Sequence, residues 1–353
     1  MAVKLGEIAS HLGLSISVVS RALSNNPDKF AVVKKETAER IRDYAREIGY
    51  QPNRQASFLS KGGSATIFCF LHDTPTRLTN DLMFGIAEAA SSQNFPINFF
   101  FGRDAKDFEN FILYSNRNEH SGLLSLPPPS MSDDVARRFS EYYANYGKAL
   151  FINTISNTLD EGTMERFSNV PHLNIDEFYG GQLAAEHLIS CDCDSYYLVS
   201  HFINNVFSIR EQGFGEQFEK RGIPFETINI HELSSRTFDT RKRHGFFTDD
   251  DYLALDMYPM LAVKGLSLGK NAFLCGFDDI FYSRISMPSL TTIHQPTREE
   301  GRLAVNKLIN MIFGKKENDQ MVRPFLVRRE STGGMRPDPA NHGQERFSSC
   351  KQV

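Results

Sequence analysis

The hydrophobic pattern changes character near residue 60. Before it, apolar side chains recur at helical spacing in short blocks. Leu5, Ile8, Ala9 and Leu12 fall at i, i+3, i+4 and i+7, which places them on one stripe of a first helix. Gly13 follows at once and suits a left-handed terminus and tight turn. Ser15 can then cap a second helix by accepting an N–H from its first turn. In that helix Val19, Ala22 and Leu23 face inward, while Ile16, Ser17 and Arg21 are left outside. A third stripe of Ala38, Ile41, Ala45 and Ile48 begins at Thr37 or the preceding lysines and ends at Gly49. Two short helices around a glycine turn, buttressed by a third, predict a helix-turn-helix head.

From Ser64 onward, strand-like runs alternate with helical ones. Ala65 to Leu71, Ile97 to Phe101, Leu123 to Leu126, Ala149 to Ile152, Tyr196 to Ser200 and Ala272 to Gly276 are short apolar runs suited to buried parallel strands. Between them lie a stripe of Leu82, Ile86, Ala89 and Ala90 and the helical segments Gly180 to Ile189, Gln212 to Arg221 and Glu299 to Phe313. Such alternation predicts an α/β body whose parallel sheet is covered on both faces, with ligands beyond the carboxyl ends of its strands.

Charge divides along the same line. Residues 1–61 hold ten Lys/Arg against six Asp/Glu, whereas the rest of the 353-residue chain holds 29 against 37. A basic head on an acidic body suggests that the head meets a polyanion, although an excess of this size also arises by chance. The length suits two or three domains with real cores. No run of about 18 apolar residues and no apolar core near the N-terminus suggests a membrane span or a secretory signal. Five cysteines are too few for a disulfide scaffold, and the odd count suits a reducing cytoplasm.

The outward residues of the second helix carry chemistry that fits a major groove. Arg21 can donate two hydrogen bonds to a guanine edge, Ile16 can pack on a thymine methyl, and Ser17 can donate or accept. An ordinary three-helix bundle with a solvated Arg21 has the same pattern, so both readings stand on geometry alone. The segment Leu5 to Leu23, with Ala9-Ser10-His11-Leu12-Gly13-Leu14-Ser15 followed by Val19-Ser20-Arg21, is similar to the reading head of the lactose/galactose repressor (LacI/GalR) family. Gly49-Tyr50-Gln51-Pro52-Asn53 stands at the matching distance. The resemblance implies base contacts by Ile16, Ser17 and Arg21. It places Lys4, Leu5, Ser15, Val18, Ser20, Asn26, Tyr50 and Asn53 near positions that engage the phosphate backbone. Val18 departs from the hydroxyl-bearing Thr common there, so one phosphate contact is expected to be missing.

Pro52 to Ser60, closed by Gly62 and Gly63, reads as a hinge. Asn53 can cap it, and Ala56 and Leu59 share one side of a helix too short to be stable alone. The resemblance implies that this segment, with Asn53, Arg54, Ala56 and Leu59, orders on operator DNA, and that paired Leu59 side chains of a homodimer wedge a base step open. The alternative is an interdomain linker whose Leu59 packs on the body.

Farther along, Phe273 to Asp279, Met287 to Pro296, Gly301 to Ala304 and Leu326 to Thr332 resemble the same family's effector domain in order and spacing. The likeness extends through about residue 333. It implies a periplasmic-binding-protein-like body of two Rossmann-like subdomains, crossed three times by the chain, with a sugar-like small molecule in the cleft between them. Arg210 and Asp278 match the ligand clamps, and Asp250 stands where Asn is common. His72, Ser125 and Asn153, at strand ends of the first half, are weaker candidates for the effector site. For each of these a salt bridge or cap is the plain alternative.

The expected division is a head at 1–51, a hinge at 52–63, a body at 64–333 and a mobile tail at 334–353. The first subdomain is expected at about 64–160 and 291–318, the second at about 161–290 and 319–333. One departure stands out: between Thr227 and Phe246 the chain is too short and polar for the strand, loop and helix of the family, so an element is expected to be missing and the cleft reshaped. Gly265 to Lys270 is one residue short of a phosphate loop and lacks the following Ser/Thr. Cys191 and Cys193 have no partner pair at zinc spacing, and no nucleophile elbow or metalloprotease helix occurs. No cofactor motif is present. A cytoplasmic, dimeric, ligand-controlled repressor is the expectation; a regulator that has lost its ligand response and an enzyme on a binding-protein fold are the rivals.

Overall fold

A computed structural model of the chain describes residues 5–23, 33–50, 66–128, 133–146, 148–153, 169–200 and 209–334. The candidates Lys4, Asn26, Asn53, Arg54, Ala56 and Leu59, the whole hinge, and the tail from residue 335 lie outside the described residues. The chain forms two compact units divided after residue 65.

In the first unit, α1 (Leu5–Leu12), α2 (Ile16–Ala22) and α3 (Lys35–Glu47) follow the predicted stripes. Ile8, Ala9, Val19, Ala22, Ala38, Ile41 and Ala45 make a small closed core, with Leu5, Leu12, Leu23 and Ile48 half-buried at its rim. Gly13, at φ +66°, ends α1, and the Leu14 N–H returns to the Ala9 carbonyl. That left-handed turn is open to glycine at little cost and strained for other residues. The Arg42 guanidinium donates to the Ala22 carbonyl at 3.2 Å and ties α3 to the end of α2.

The second unit holds two six-stranded sheets. The first combines β1 (Ile67–His72), β2 (Ile97–Gly102), β3 (Gly122–Ser125), β4 (Ala149–Ile152), β5 (His172–Ile175) and β11 (Gln320–Val322), in the order β11-β5-β4-β3-β1-β2 and parallel throughout. The second combines β6 (Ser195–Ser200), β7 (Glu226–Asn229), β8 (His244–Thr248), β9 (Ala272–Asp278), β10 (Thr291–His294) and β12 (Phe325–Val327), in the order β12-β10-β9-β8-β6-β7. Only β12 runs against its neighbour. Helices α4 (Arg77–Ser92), α5 (Ala105–Arg117), α6 (Asp133–Tyr146) and α12 (Thr297–Ile312) serve the first sheet. Helices α7 (Glu177–Ser190), α8 (Ile209–Arg221), the single turn α9 (Ile230–Leu233), α10 (Asp251–Val263) and the short α11 (Phe281–Ile285) belong to the second half. No helix among the described residues is long and apolar enough to cross a membrane.

The chain passes between the sheets three times, after β5, β10 and β11. This corrects the expected subdomain boundaries. His172–Ile175 hydrogen-bonds beside β4, so it completes the first subdomain rather than opening the second. Thr291–His294 pairs with β9 and belongs to the second, while Gln320–Val322 returns to pair with β5 in the first. A buried strand reads the same in either sheet; only its hydrogen-bonded neighbour decides membership.

The short stretch between Thr227 and Phe246 keeps β7 but reduces the following helix to one turn. The connection is held from outside: the Lys264 ammonium donates to the Ser234 carbonyl at 2.9 Å and the Arg236 carbonyl at 2.5 Å. The expected closing strand Leu326 to Thr332 stops at Val327. Arg329 turns inward there, donating to the Leu290 carbonyl at 2.9 Å and the Asp279 carboxylate at 2.5 Å.

Candidate functional site

In the head, α2 presents the chemistry. Ile16 is 56% exposed, and Ser17, Ser20 and Arg21 are exposed beside it. The Ser15 hydroxyl accepts the Val18 N–H at 3.4 Å and lies 3.0 Å from the Ser17 hydroxyl, so Ser15 caps the helix. Val18 is half-buried against the head core, as are Leu5 and Tyr50. A large apolar side chain and a guanidinium left out on one capped helix suit contact with base edges.

In the body, the other candidates stand at or near the carboxyl ends of strands, and Arg210 and Asp278 meet there. Arg210, in the first turn of α8, lies nearly enclosed; its guanidinium donates to the Asp278 carboxylate at 3.1 Å, the Glu177 carboxylate at 2.8 Å and the Asp249 carbonyl at 2.6 Å. The same group stacks 4.0 Å from the centre of the Phe277 ring. Burial opposes its charge, but Glu177 and Asp278 outweigh that and hold it protonated. Asp278 ends β9 with φ +102° and also accepts from the Gln295 amide at 2.6 Å. Burial pushes its carboxyl up to about 6 despite the arginine, and burial pushes Asp249 to about 6 as well, helped by Glu211 and Asp250. Asp250 caps α10, accepting the Leu253 N–H at 2.7 Å, which is the plain cap reading.

From the first sheet, His72 ends β1 with a ring nitrogen 3.2 Å from the Pro127 carbonyl, and burial lowers its pKa. Ser125 ends β3 fully buried, its hydroxyl without a hydrogen-bond partner among the described residues. Asn153, at φ +51° just past β4, donates to Glu300 Oε2 at 3.0 Å and accepts the Ile175 N–H at 3.2 Å. The two halves touch through Arg77, at the start of α4, which is paired with Asp81 at 2.8 Å and donates to the backbone carbonyl of Asp278. Among the described residues no group of three His, Cys, Asp or Glu could hold a metal ion.

Sequence reasoning missed Glu177, Glu300, Gln295 and Arg77. Glu300 had a signal. It lies on the buried stripe Glu300, Ala304, Leu308 of α12, where a carboxylate is out of place. Glu177, Gln295 and Arg77 show nothing in sequence beyond their position at element ends.

Comparison with known proteins points one way. Residues 185–332 match the family described as periplasmic binding protein-like domain. The HTH-type transcriptional repressor PurR of Haemophilus influenzae is 24% identical over 345 residues, covering 92% of this chain and 97% of that protein. The ribose operon repressor of Halalkalibacterium halodurans is 24% identical, with 93% and 96% covered. Among solved structures, a Lac repressor dimer bound to operator and an anti-inducer superimposes with a TM-score of 0.61 at 21% identity, covering 94% of this chain and 99% of that one. A CelR–cellobiose complex gives 0.60 at 19%, with 93% and 99% covered. At such identities the structural likeness speaks for the fold.

Proposed function

We propose that the chain is a member of the lactose/galactose repressor (LacI/GalR) family of transcriptional regulators and, on that premise, a DNA-binding repressor controlled by a small molecule between the halves of its body. The observation that carries the reading is the pairing of two devices in one chain: a capped helix with Ile16, Ser17 and Arg21 outward, and the clamp candidates Arg210 and Asp278 meeting at the carboxyl ends of the parallel strands of the second sheet. The relatives are named as transcriptional repressors or regulators, and the sequence shows no nucleophile elbow or metalloprotease helix. The protein acts in the cytoplasm as a homodimer, with two heads in successive major grooves and Leu59 of each hinge in the minor groove between them. Phosphate contacts by Lys4, Ser15, Ser20, Asn26 and Asn53 set the register.

Ligand then works by differential affinity for two arrangements of the halves, which alters how the hinges pair. One observation favours the rival without ligand response: Arg210, Asp278, Glu177 and Gln295 already satisfy one another. Binding of purified protein to duplex fragments of its own genome, at moderate salt and with candidate metabolites present or absent, tests both. Preference for particular fragments that a metabolite abolishes or strengthens supports the proposal. Preference indifferent to every metabolite favours the rival, and no preference at all overturns both.

A further inference from the structure

We propose that the molecule held in the cleft is cationic, an amine-bearing metabolite whose ammonium group is received by Glu300 with Glu177 and Asp278 beside it. This rests on the reading of the cleft as a ligand site. Among the described residues five carboxylates, Glu177, Asp249, Asp250, Asp278 and Glu300, lie close enough to act on one another, beside the guanidinium groups of Arg210 and Arg77. Neither guanidinium is spare for the excess: Arg210 is shared by Glu177 and Asp278, and Arg77 is committed to Asp81 and to backbone carbonyls. An anionic ligand would meet repulsion from these groups, whereas a cation would stabilise the charged forms that burial disfavours.

Glu300 turns this imbalance into a site. It is fully buried in the first turn of α12, and Asn153 donates to its Oε2. Its Oε1 has no hydrogen-bond partner among the described residues. A carboxylate has room for about four donors, and an ammonium brings three. Two further buried groups have capacity left: the hydroxyl of Thr297, on the same turn of α12, and that of Ser125, at the end of β3. Glu300 also lies close enough to Glu177 for the two to repel, so a positive group between them relieves both. Burial and this repulsion keep the Glu300 carboxyl well above its usual range without a ligand; an arriving cation takes the place of the proton. The absence of any three-ligand metal cluster among the described residues favours an organic cation over a metal ion.

Thermal shift and titration calorimetry of the full chain without DNA test the inference, with glucosamine, putrescine and spermidine set against glucose, ribose, glucose 6-phosphate and magnesium chloride at matched ionic strength. We expect at least one amine to bind once per protomer and raise Tm. Glu300→Gln should weaken it at least tenfold, and Thr297→Val, which serves if the first variant does not fold, severalfold, while the exposed-surface variant Glu186→Gln leaves binding unchanged. Binding by neutral or phosphorylated sugars with the amines silent overturns the cationic assignment and leaves the ligand site standing. Amine binding indifferent to both cleft variants, or matched by magnesium, is surface screening and also overturns it. Silence from every compound overturns it too, and fragment binding by the same preparation then reports whether the regulator itself survives.

Discussion

Arg210 can sit in the interior as a cation because Glu177 and Asp278 meet it, and the same logic in reverse governs Asp251. That carboxyl is buried behind β9 and accepts from the Ile280 N–H at 2.9 Å and from the Ser283 and Thr292 hydroxyls at 2.6 Å each. Burial outweighs these donors and, with Asp278 nearby, pushes it up to about 8. A carboxyl raised in the folded state binds more protons there than in the unfolded chain, so its contribution to stability is present near pH 4 and fades as pH rises toward 8. Denaturant unfolding across that range should show stability falling with pH, and Asp251→Asn should flatten the decline; an unchanged slope would contradict the assignment. Asp279 works in the opposite sense, since His294 and Arg329 overcome its burial and hold it down to about 2. On the head, Arg21→Ala should cost about 1–3 kcal/mol at a preferred site and relax base choice there. An equal loss on random duplex, read by fluorescence anisotropy, would argue for mere charge attraction.

At the scale of elements, the position of Arg210 depends on how closely α7 and α8 pack. A Cβ at Gly181 would lie 1.9 Å from the Arg210 carbonyl oxygen, and one at Gly213 would lie 2.0 Å from that of Phe178. Both contacts are with backbone, so no side-chain adjustment relieves them, and the helices must part. Gly213→Ala is therefore expected to lower stability by about 1–3 kcal/mol and to displace the Arg210 guanidinium from Glu177. Thermal unfolding reads the first effect, and loss of ligand response with fragment binding intact reads the second. The shortened segment after β7 shows the converse: one helical turn, pinned by Lys264, closes that edge where a full helix is not available.

For the body as a whole, three passages of the chain between two sheets join the halves. Arg77 spans them, reaching from α4 of the first to the backbone of Asp278 in the second. Removing it should favour a more open arrangement. Arg77→Ala is expected to speed amide exchange around residues 278–283 without altering exchange in the sheet cores, and a uniform acceleration would point to general destabilisation instead.

Local order was legible because it is local. The stripes of the three head helices, the cap at Ser15, the turn at Gly13 and the parallel strands all follow from spacing and residue type, and the structure keeps them. The exception is Ile97–Gly102, an edge strand with Phe101 exposed rather than a buried one. The ion pair of Arg210 with Asp278, 68 residues apart, is not local; resemblance alone singled out the two positions, and the salt bridge is the plain alternative to a ligand clamp. Tertiary structure decided what spacing leaves open: which sheet claims His172–Ile175, Thr291–His294 and Gln320–Val322, and how the cleft's charges balance. Hydrogen bonds between strands and the burial of Glu177 and Glu300 depend on neighbours distant in sequence. The alternation of apolar and polar residues carries no record of those neighbours.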